Sequence, residues 1–276
     1  MAHCVTAEAE KILDKEFPVL DKGFIRLVDY LGSDERVVQA ARVSYGEGTK
    51  SYREDAALID YLLRNRHTSP FEQVVLTFHV KMPVFVARQW IRHRTARLNE
   101  ISGRYSVMKD DFYTPCAADI APQSGDNKQG RCDVAFPLET AEAFRADFEA
   151  GQRRAYVDYT KLIDNRVARE LARINLPLSI YTEIYWQIDL HNLFHFLELR
   201  LGAHAQKEIR LYAESLLEIS RNVAPRCCES FERHIFGAVT FSKDEMVELK
   251  RRLTGGTVDE STLAGKQLER FTDKLK

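Results

Sequence analysis

VVLTFHVKMPVFVARQWIRHRTARLNEISGRYS, residues 74–106, decides how the chain is read. Val74 to Met82 alternates apolar with polar side chains, the period of a strand with one face buried. Pro83, with its φ fixed and no N–H to satisfy, suits the first position of a helix. In VFVARQWIRH, Val84, Val86, Ala87 and Ile91 then interleave with Arg88, Gln89, Arg92 and His93. The segment turns cationic: Arg88 to Arg104 holds five arginines (88, 92, 94, 97, 104) against one acid, Glu100. Guanidinium groups suit bidentate contact with phosphate oxygens.

Working outward, Phe24 to Tyr30 is β-rich and ends at Gly32-Ser33, while Asp34–Val43 and Asp55–Arg64 have helical periods. Ser69-Pro70-Phe71-Glu72 has the pattern of a capping box before a short helix. Ala9, Ile12, Leu13 and Phe17 give residues 1–20 a short helical pattern. Beyond the central stretch, residues 107–136 are irregular, with Pro115, Pro122, Gly125 and Gly130 and few apolar anchors, a length that marks a functional or disordered loop. Helices are expected at 138–163, 166–174, 190–200 and 205–222, the last stopped by Pro225, and a strand at 178–188. A second capping box, Ser242…Glu245, opens the polar tail. Strands and helices interspersed at unequal lengths predict the α+β class, with a mixed sheet and packed helices in a single compact domain.

The 276 residues are 45% hydrophobic, and 40 Lys+Arg against 41 Asp+Glu leave a formal charge of −1. A nearly neutral chain gives no general basis for polynucleotide binding, and no apolar run approaches the roughly 18 residues of a membrane span. The opening MAHCVTAEAEKILDKEF lacks a basic and an apolar signal region. Five cysteines (4, 116, 132, 227, 228) form no C-x-x-C pair, so a reduced, cytoplasmic protein is expected.

Glycine-rich nucleotide fingerprints, G-x-S-x-G and H-E-x-x-H are absent. An isolated basic run is ordinarily a solvated helix face. Here Arg166, Arg169 and Arg173 at helical spacings, Arg200 at the end of an apolar-aromatic helix, and Asn99-Glu100 beside the cations favour recognition of an anionic, polar ring. His191 and His195 stand four apart, with His204 beyond, but a metal reading needs a further ligand and orienting partners, and no metal is expected. Cys116 follows Pro115 yet has no His or Arg beside it in sequence to activate it. Cys227-Cys228 reads as packing. Two other classes compete: a polynucleotide-binding protein using Arg88–Arg104, and a histidine-based metal hydrolase.

Arg92-His93-Arg94, seven residues, then Ser102 resembles the signature of the flavin-dependent thymidylate synthases. FVARQWIRHRTARLNEISGRYS (85–106), RHTSPFEQVVLTFHVK (66–81), ARINLPLSIYTEIYW (172–186) and HNLFHFLELRLGAHAQKEIR (191–210) resemble that family in the same order, over about Leu20 to Phe236. Residues 1–19 and 237–276 then read as N- and C-terminal extensions of one domain. The resemblance implies methylation of dUMP to dTMP, with 5,10-methylenetetrahydrofolate as carbon donor and FAD reduced by NADPH as hydride source. It also implies a homotetramer with shared active sites.

By position, the resemblance assigns Gln89, Arg92, Glu100, Ser102, Gly103, Arg104, Arg173 and Arg200 to dUMP. It assigns Ser44, Ser69, Glu72, Arg92, His93, Arg94, Asn99, Glu100, Asp189, His191, His195 and His204 to FAD. Arg200, Arg92, Ser102 and His67 are the catalytic candidates it implies. Two positions depart from the family's pattern. Gln73 stands where a histidine is frequent and cannot titrate, and Asp189 stands where asparagine is frequent, placing a carboxylate near the flavin.

Overall fold

The computed structural model describes residues 5–43, 52–125, 129–255 and 263–276. The chain divides into two compact units, Met1–Phe231 and Glu232–Lys276. The first holds a five-stranded sheet: β1 (Glu16–Val19), β2 (Gly23–Leu31), β3 (Val75–Pro83), β4 (Arg97–Glu100) and β5 (Tyr181–Asp189), in the order β1-β2-β3-β5-β4. The α+β class is as expected, but all four pairings are antiparallel, not mixed. The reason is β5. It lies between β3 and β4, so these two strands of like direction never become neighbours.

Around the sheet stand α1 (Ala7–Glu10), α2 (Asp34–Arg42), α3 (Tyr52–Arg64), α4 (Val84–Trp90), α5 (Leu138–Asp164), α6 (Arg169–Ala172), α7 (Leu190–Leu201), α8 (Lys207–Val223) and α9 (Pro225–Phe231). One sheet face, with Ile25, Leu27, Phe78, Val80, Met82, Ile184 and Trp186, is buried. An aromatic cluster locks helices onto it. Trp90 of α4 meets Trp186 at 5.0 Å and Phe196 of α7 at 4.8 Å between ring centroids, and Tyr212 of α8 at 6.1 Å. Truncating one such fully buried ring to alanine costs about 3–5 kcal/mol. The Tyr212 hydroxyl donates to the Lys81 carbonyl at 2.7 Å. A Cβ at position 23 would stand 2.0 Å from that hydroxyl oxygen, so only glycine admits this approach.

Several local expectations are corrected. Phe17 belongs to β1, not to the N-terminal helix, which closes after Glu10. Ser69 and Glu72 form no capping box: β3 begins at Val75, leaving room for one 3-10 turn, Phe71–Gln73, and the Glu72 carboxylate accepts from Thr68 Oγ1 at 3.3 Å instead. Helix α4 ends at Trp90, short of His93, and Pro83 caps it from outside. Arg166 has φ +61° and precedes α6, whereas Arg173 follows it in a 3-10 turn, so 166, 169 and 173 do not share a helical face. Pro225 opens α9 as well as following α8. Asp34 accepts there from the Arg226 and Cys227 N–H groups at 2.9 and 3.0 Å, and Cys227 and Cys228 are buried, as packing requires.

The second unit contains a π-helical turn, Glu232–Phe236, with α10 (Lys243–Leu253) and α11 (Lys266–Asp273). Its capping box forms as expected: Ser242 Oγ accepts from the Glu245 N–H at 3.2 Å, and Glu245 Oε2 accepts from the Ser242 N–H at 2.6 Å. Lys274 bonds the same carboxylate at 2.7 Å and ties α11 to α10.

Candidate active site

The sheet places the candidate residues in two groups. The first stands where α4 and α7 are pinned by the Trp90–Phe196 contact. Arg200, in the last turn of α7, donates from Nε to His93 Nε2 at 3.0 Å and from a terminal nitrogen to the Gln89 carbonyl at 3.3 Å. An arginine can only donate, so His93 Nε2 must accept, and the ring proton sits on Nδ1. Burial, with Arg200 and His195 nearby, lowers the His93 pKa to about 4, which keeps the ring neutral at pH 7. The ring also packs on Phe196 at 4.7 Å and lies 6.0 Å from that of His195. Burial and the charge of Arg92 lower the pKa of Arg200 from its ordinary value.

The second group lies on the β4 edge, where all four residues of the strand are exposed. Glu100 accepts from the buried Thr182 hydroxyl at 2.6 Å. Ser102 Oγ accepts from the Arg104 N–H at 3.3 Å, and no histidine or carboxylate takes the serine proton among the described residues. Gly103 is buried, and a Cβ there would come within 3.0 Å of Arg173 Cδ and Met108 Sδ. Glu100, Gly103, Arg173 and Thr182 line one cavity of about 330 Å³. Arg104 pairs with Glu170 at 3.2 Å. No hydrogen bond or ion pair joins the side chains of the two groups among the described residues.

The other candidates are more dispersed. His67, exposed, meets Tyr61 edge-on at 5.8 Å. Ser69, Glu72 and Gln73 are exposed on or beside the turn before β3. Asp189 caps α7, accepting from the Asn192 N–H at 2.9 Å and its side-chain amide at 2.7 Å, so the departure to aspartate has a structural use. His191 is half-buried in the first turn of α7, and His204 is exposed after its end. Arg94 and the side chain of Asn99 are exposed without a hydrogen-bond partner among the described residues. Ser44 lies outside the described residues. No group of three or more metal-ligating side chains occurs among the described residues.

Three participants were not singled out in the sequence: Thr182, Gln206 and Glu208. Gln206 and Glu208 fall inside the 191–210 block, and a carboxylate in the first turn of an amphipathic helix was their only signal.

The arrangement suits anions and a large polar cofactor. Arg92, Arg94, Arg173 and Arg200 have no carboxylate partner among the described residues, which leaves them free for phosphate or a polarised carbonyl. Neutral His93, with exposed His195, His67 and Asn99, supplies the donors and acceptors that a flavin ring and its ribityl hydroxyls require. The residues present therefore fit FAD.

Comparison with known proteins follows the same lines. The family model for the thymidylate synthase complementing protein matches residues 26–226, and that for the thymidylate synthase ThyX C-terminal domain matches 239–276. A flavin-dependent thymidylate synthase of Treponema denticola is 65% identical over 264 residues, covering 96% of this chain and 98% of that protein. One from Treponema pallidum is 59% identical over 276 residues, covering 100% and 90%. Among solved structures, the UMP/dUMP methylase PolB from Streptomyces cacaoi, bound with 5-Br dUMP, superposes with a TM-score of 0.72 at 32% identity, covering 80% of this chain and 99% of that one.

Proposed function

The chain belongs to the flavin-dependent thymidylate synthase family, and from that premise we propose which of its residues perform each part of the reaction. The enzyme methylates dUMP to dTMP. The methylene comes from 5,10-methylenetetrahydrofolate, the hydride from FAD reduced by NADPH, and the products are dTMP, tetrahydrofolate and NADP+. FAD, when bound, supplies the hydride chemistry, and the protein's share is binding, orientation and electrostatics.

Arg200 and Arg92 face the uracil carbonyl, where negative charge develops as C5 becomes nucleophilic. The observation that carries this reading is the Arg200–His93 bond at 3.0 Å: a neutral imidazole fixes the guanidinium without neutralising it, as a carboxylate would. Arg173, Arg104 and Ser102 hold the phosphate. Among the described residues Ser102 is bonded to no base, which supports binding over nucleophilic attack. Glu100, fixed by Thr182, and Gln89 bind the nucleoside. Arg94, His93, His195, His191, His204, Asn99, Asp189, Ser69, Glu72 and Ser44 serve the FAD, together with Arg92 and Glu100, and His67 lies where folate approaches.

The working form is a homotetramer in the cytoplasm, acting on small molecules. The exposed Leu98, Ile101, Tyr105 and Ile174 around the second group support a covering subunit. Among the described residues no helix is long and apolar enough to cross a membrane. The test is purified protein, assayed for absorbance near 450 nm and for dTMP formation with dUMP, methylenetetrahydrofolate and NADPH. A folded preparation that neither holds nor binds FAD, or binds polynucleotide instead, sinks the reading.

A further inference from the structure

Glu208, in the first turn of α8, is 3% exposed, yet it is a carboxylate that none of the assigned contacts uses. Its Oε1 accepts from the Tyr113 hydroxyl at 3.1 Å and from Arg131 at 3.2 Å, both in the 107–136 segment. Its Oε2 accepts from Gln206 Nε2 at 2.8 Å. Gln206 Oε1 in turn accepts from Gln89 Nε2 at 2.6 Å. The Gln89 backbone carbonyl is the one that Arg200 holds.

The polarity of this relay is fixed at one end. A carboxylate paired with an arginine only accepts, so Gln206 must turn its NH2 group toward Glu208 and its carbonyl oxygen toward Gln89. Gln89 must then answer with its NH2 group. Its own side-chain oxygen, Oε1, is left without a partner among the described residues, while Arg200 holds its backbone carbonyl. Burial and the neighbouring Glu208 charge raise the Tyr113 pKa, which keeps that phenol a donor and the relay's direction unchanged. A free Gln89 oxygen is an acceptor. Uracil presents N3–H, a donor, whereas cytosine presents an unprotonated N3, an acceptor, at the same place on the ring.

We propose that Glu208 and Gln206 are positioning residues that fix the hand of the Gln89 amide, so that the site selects a uracil over a cytosine nucleotide. The inference rests on the reading of Gln89 as a dUMP contact. It also gives the 107–136 segment a part in substrate choice, because Tyr113 and Arg131 hold the carboxylate in place.

Calorimetric titration of the FAD-loaded enzyme with dUMP and with dCMP tests it. Gln206→Met cuts the relay but keeps the Glu208–Arg131–Tyr113 anchor. It is expected to weaken dUMP about tenfold, the order of one lost hydrogen bond, and to leave dCMP unchanged. At saturating dUMP, kcat should stay within about twofold, because Gln206 touches no reacting atom. In Glu208→Gln, the new amide can accept from Tyr113 and Arg131 and donate to Gln206, which reverses both amides. The dUMP-to-dCMP preference should therefore fall further, with dCMP bound more tightly than by the wild type. An unchanged preference in Gln206→Met, where Gln89→Leu does lower it, overturns the relay. If Gln89→Leu leaves dUMP affinity untouched, the reading of Gln89 itself fails. Should Glu208→Gln lose FAD or fold, Gln206→Met alone decides.

Discussion

Arg200 and Arg173 both stand without a carboxylate partner among the described residues, but they are held in different ways. Arg200 is half-buried at the end of a twelve-residue helix, α7, that packs on the aromatic core, and it bonds His93 and Gln89. Arg173 is exposed in a three-residue 3-10 turn, beside Gly103, and makes no hydrogen bond of its own to another described side chain. Arg200 is pre-organised by contacts within the chain; Arg173 sits on an open edge without such contacts among the described residues. Groups fixed before the reaction contribute most to the transition state, and groups that settle on binding contribute to affinity.

The largest expected effect comes from the rigid half. Arg200→Ala should lower kcat about 10²–10³-fold, the usual loss for one pre-organised donor opposite developing charge, in protein that still binds FAD and dUMP. Arg173→Ala should instead raise the dUMP KM and leave most of kcat. Steady-state kinetics with dUMP varied reads both, and equal effects on the two parameters in both variants would erase the distinction.

Next is the question of whose chain completes the edge. Arg104→Ala and Arg200→Ala proteins, each nearly inactive when assayed at dUMP well below the raised KM of Arg104→Ala, are mixed and allowed to exchange subunits. If one site draws the two arginines from different chains, about a quarter of the sites in an equal mixture hold both intact, and activity returns in that proportion. No recovery, with exchange verified by native mass spectrometry, assigns this pair to a single chain.

The same contrast explains what could be read in advance. The strands at 75–83 and 181–189 and the helices at 138–164 and 190–201 carry long, unambiguous periods, and they formed where expected. Sequence names the motif arginines but does not group them. Arg97–Glu100 has no alternation to mark it: it is an edge strand with every residue exposed, made a strand only by β5. The helical period of 84–93 runs on through His93, but helix α4 stops at Trp90, which locks into the core, and the chain must turn to reach β4. Gln206 and Glu208 are ordinary polar residues until folding brings residues 89, 113 and 131 to them, and contacts over that separation leave no local pattern.

Gly103→Ala probes the edge more gently. The added Cβ meets Arg173 Cδ and Met108 Sδ at 3.0 Å, tighter than ordinary van der Waals contact, and both are parts of flexible side chains that can shift. The fold should survive while Arg173 moves, weakening dUMP about tenfold, the order of one charge-assisted bond. Calorimetry with unchanged dUMP affinity would show that Arg173 needs no fixed place.

A smaller effect separates the halves by pH. The pKa of His93, lowered to about 4, means that the unfolded chain, at its ordinary value of 6.5, takes up the proton first. Stability therefore declines as pH falls from 6.5 toward 4, while the Arg200–His93 bond itself persists and breaks only as pH falls through about 4. Histidine NMR should give His93 a midpoint near 4, and one near 6.5 would mean that the ring is neither buried nor held by Arg200.

The smallest effect is expected outside both halves, at Cys116. It lies in the 107–136 segment after Pro115, where a covalent mechanism would seek its nucleophile. The structure gives its sulfur a different use. Sγ donates to Asp119 Oδ2 at 3.2 Å, and the other oxygen of that carboxylate bonds Lys207, the residue between Gln206 and Glu208. Among the described residues no histidine or arginine is bonded to the sulfur, and a nucleophile without an activating base is slow. A serine hydroxyl can donate the same bond to Asp119. Cys116→Ser should thus keep dTMP formation within about twofold of the wild type, since ground-state packing and not a transition-state contact is altered. Abolished turnover in a folded, FAD-loaded variant would move the chemistry from the two arginine groups to this loop.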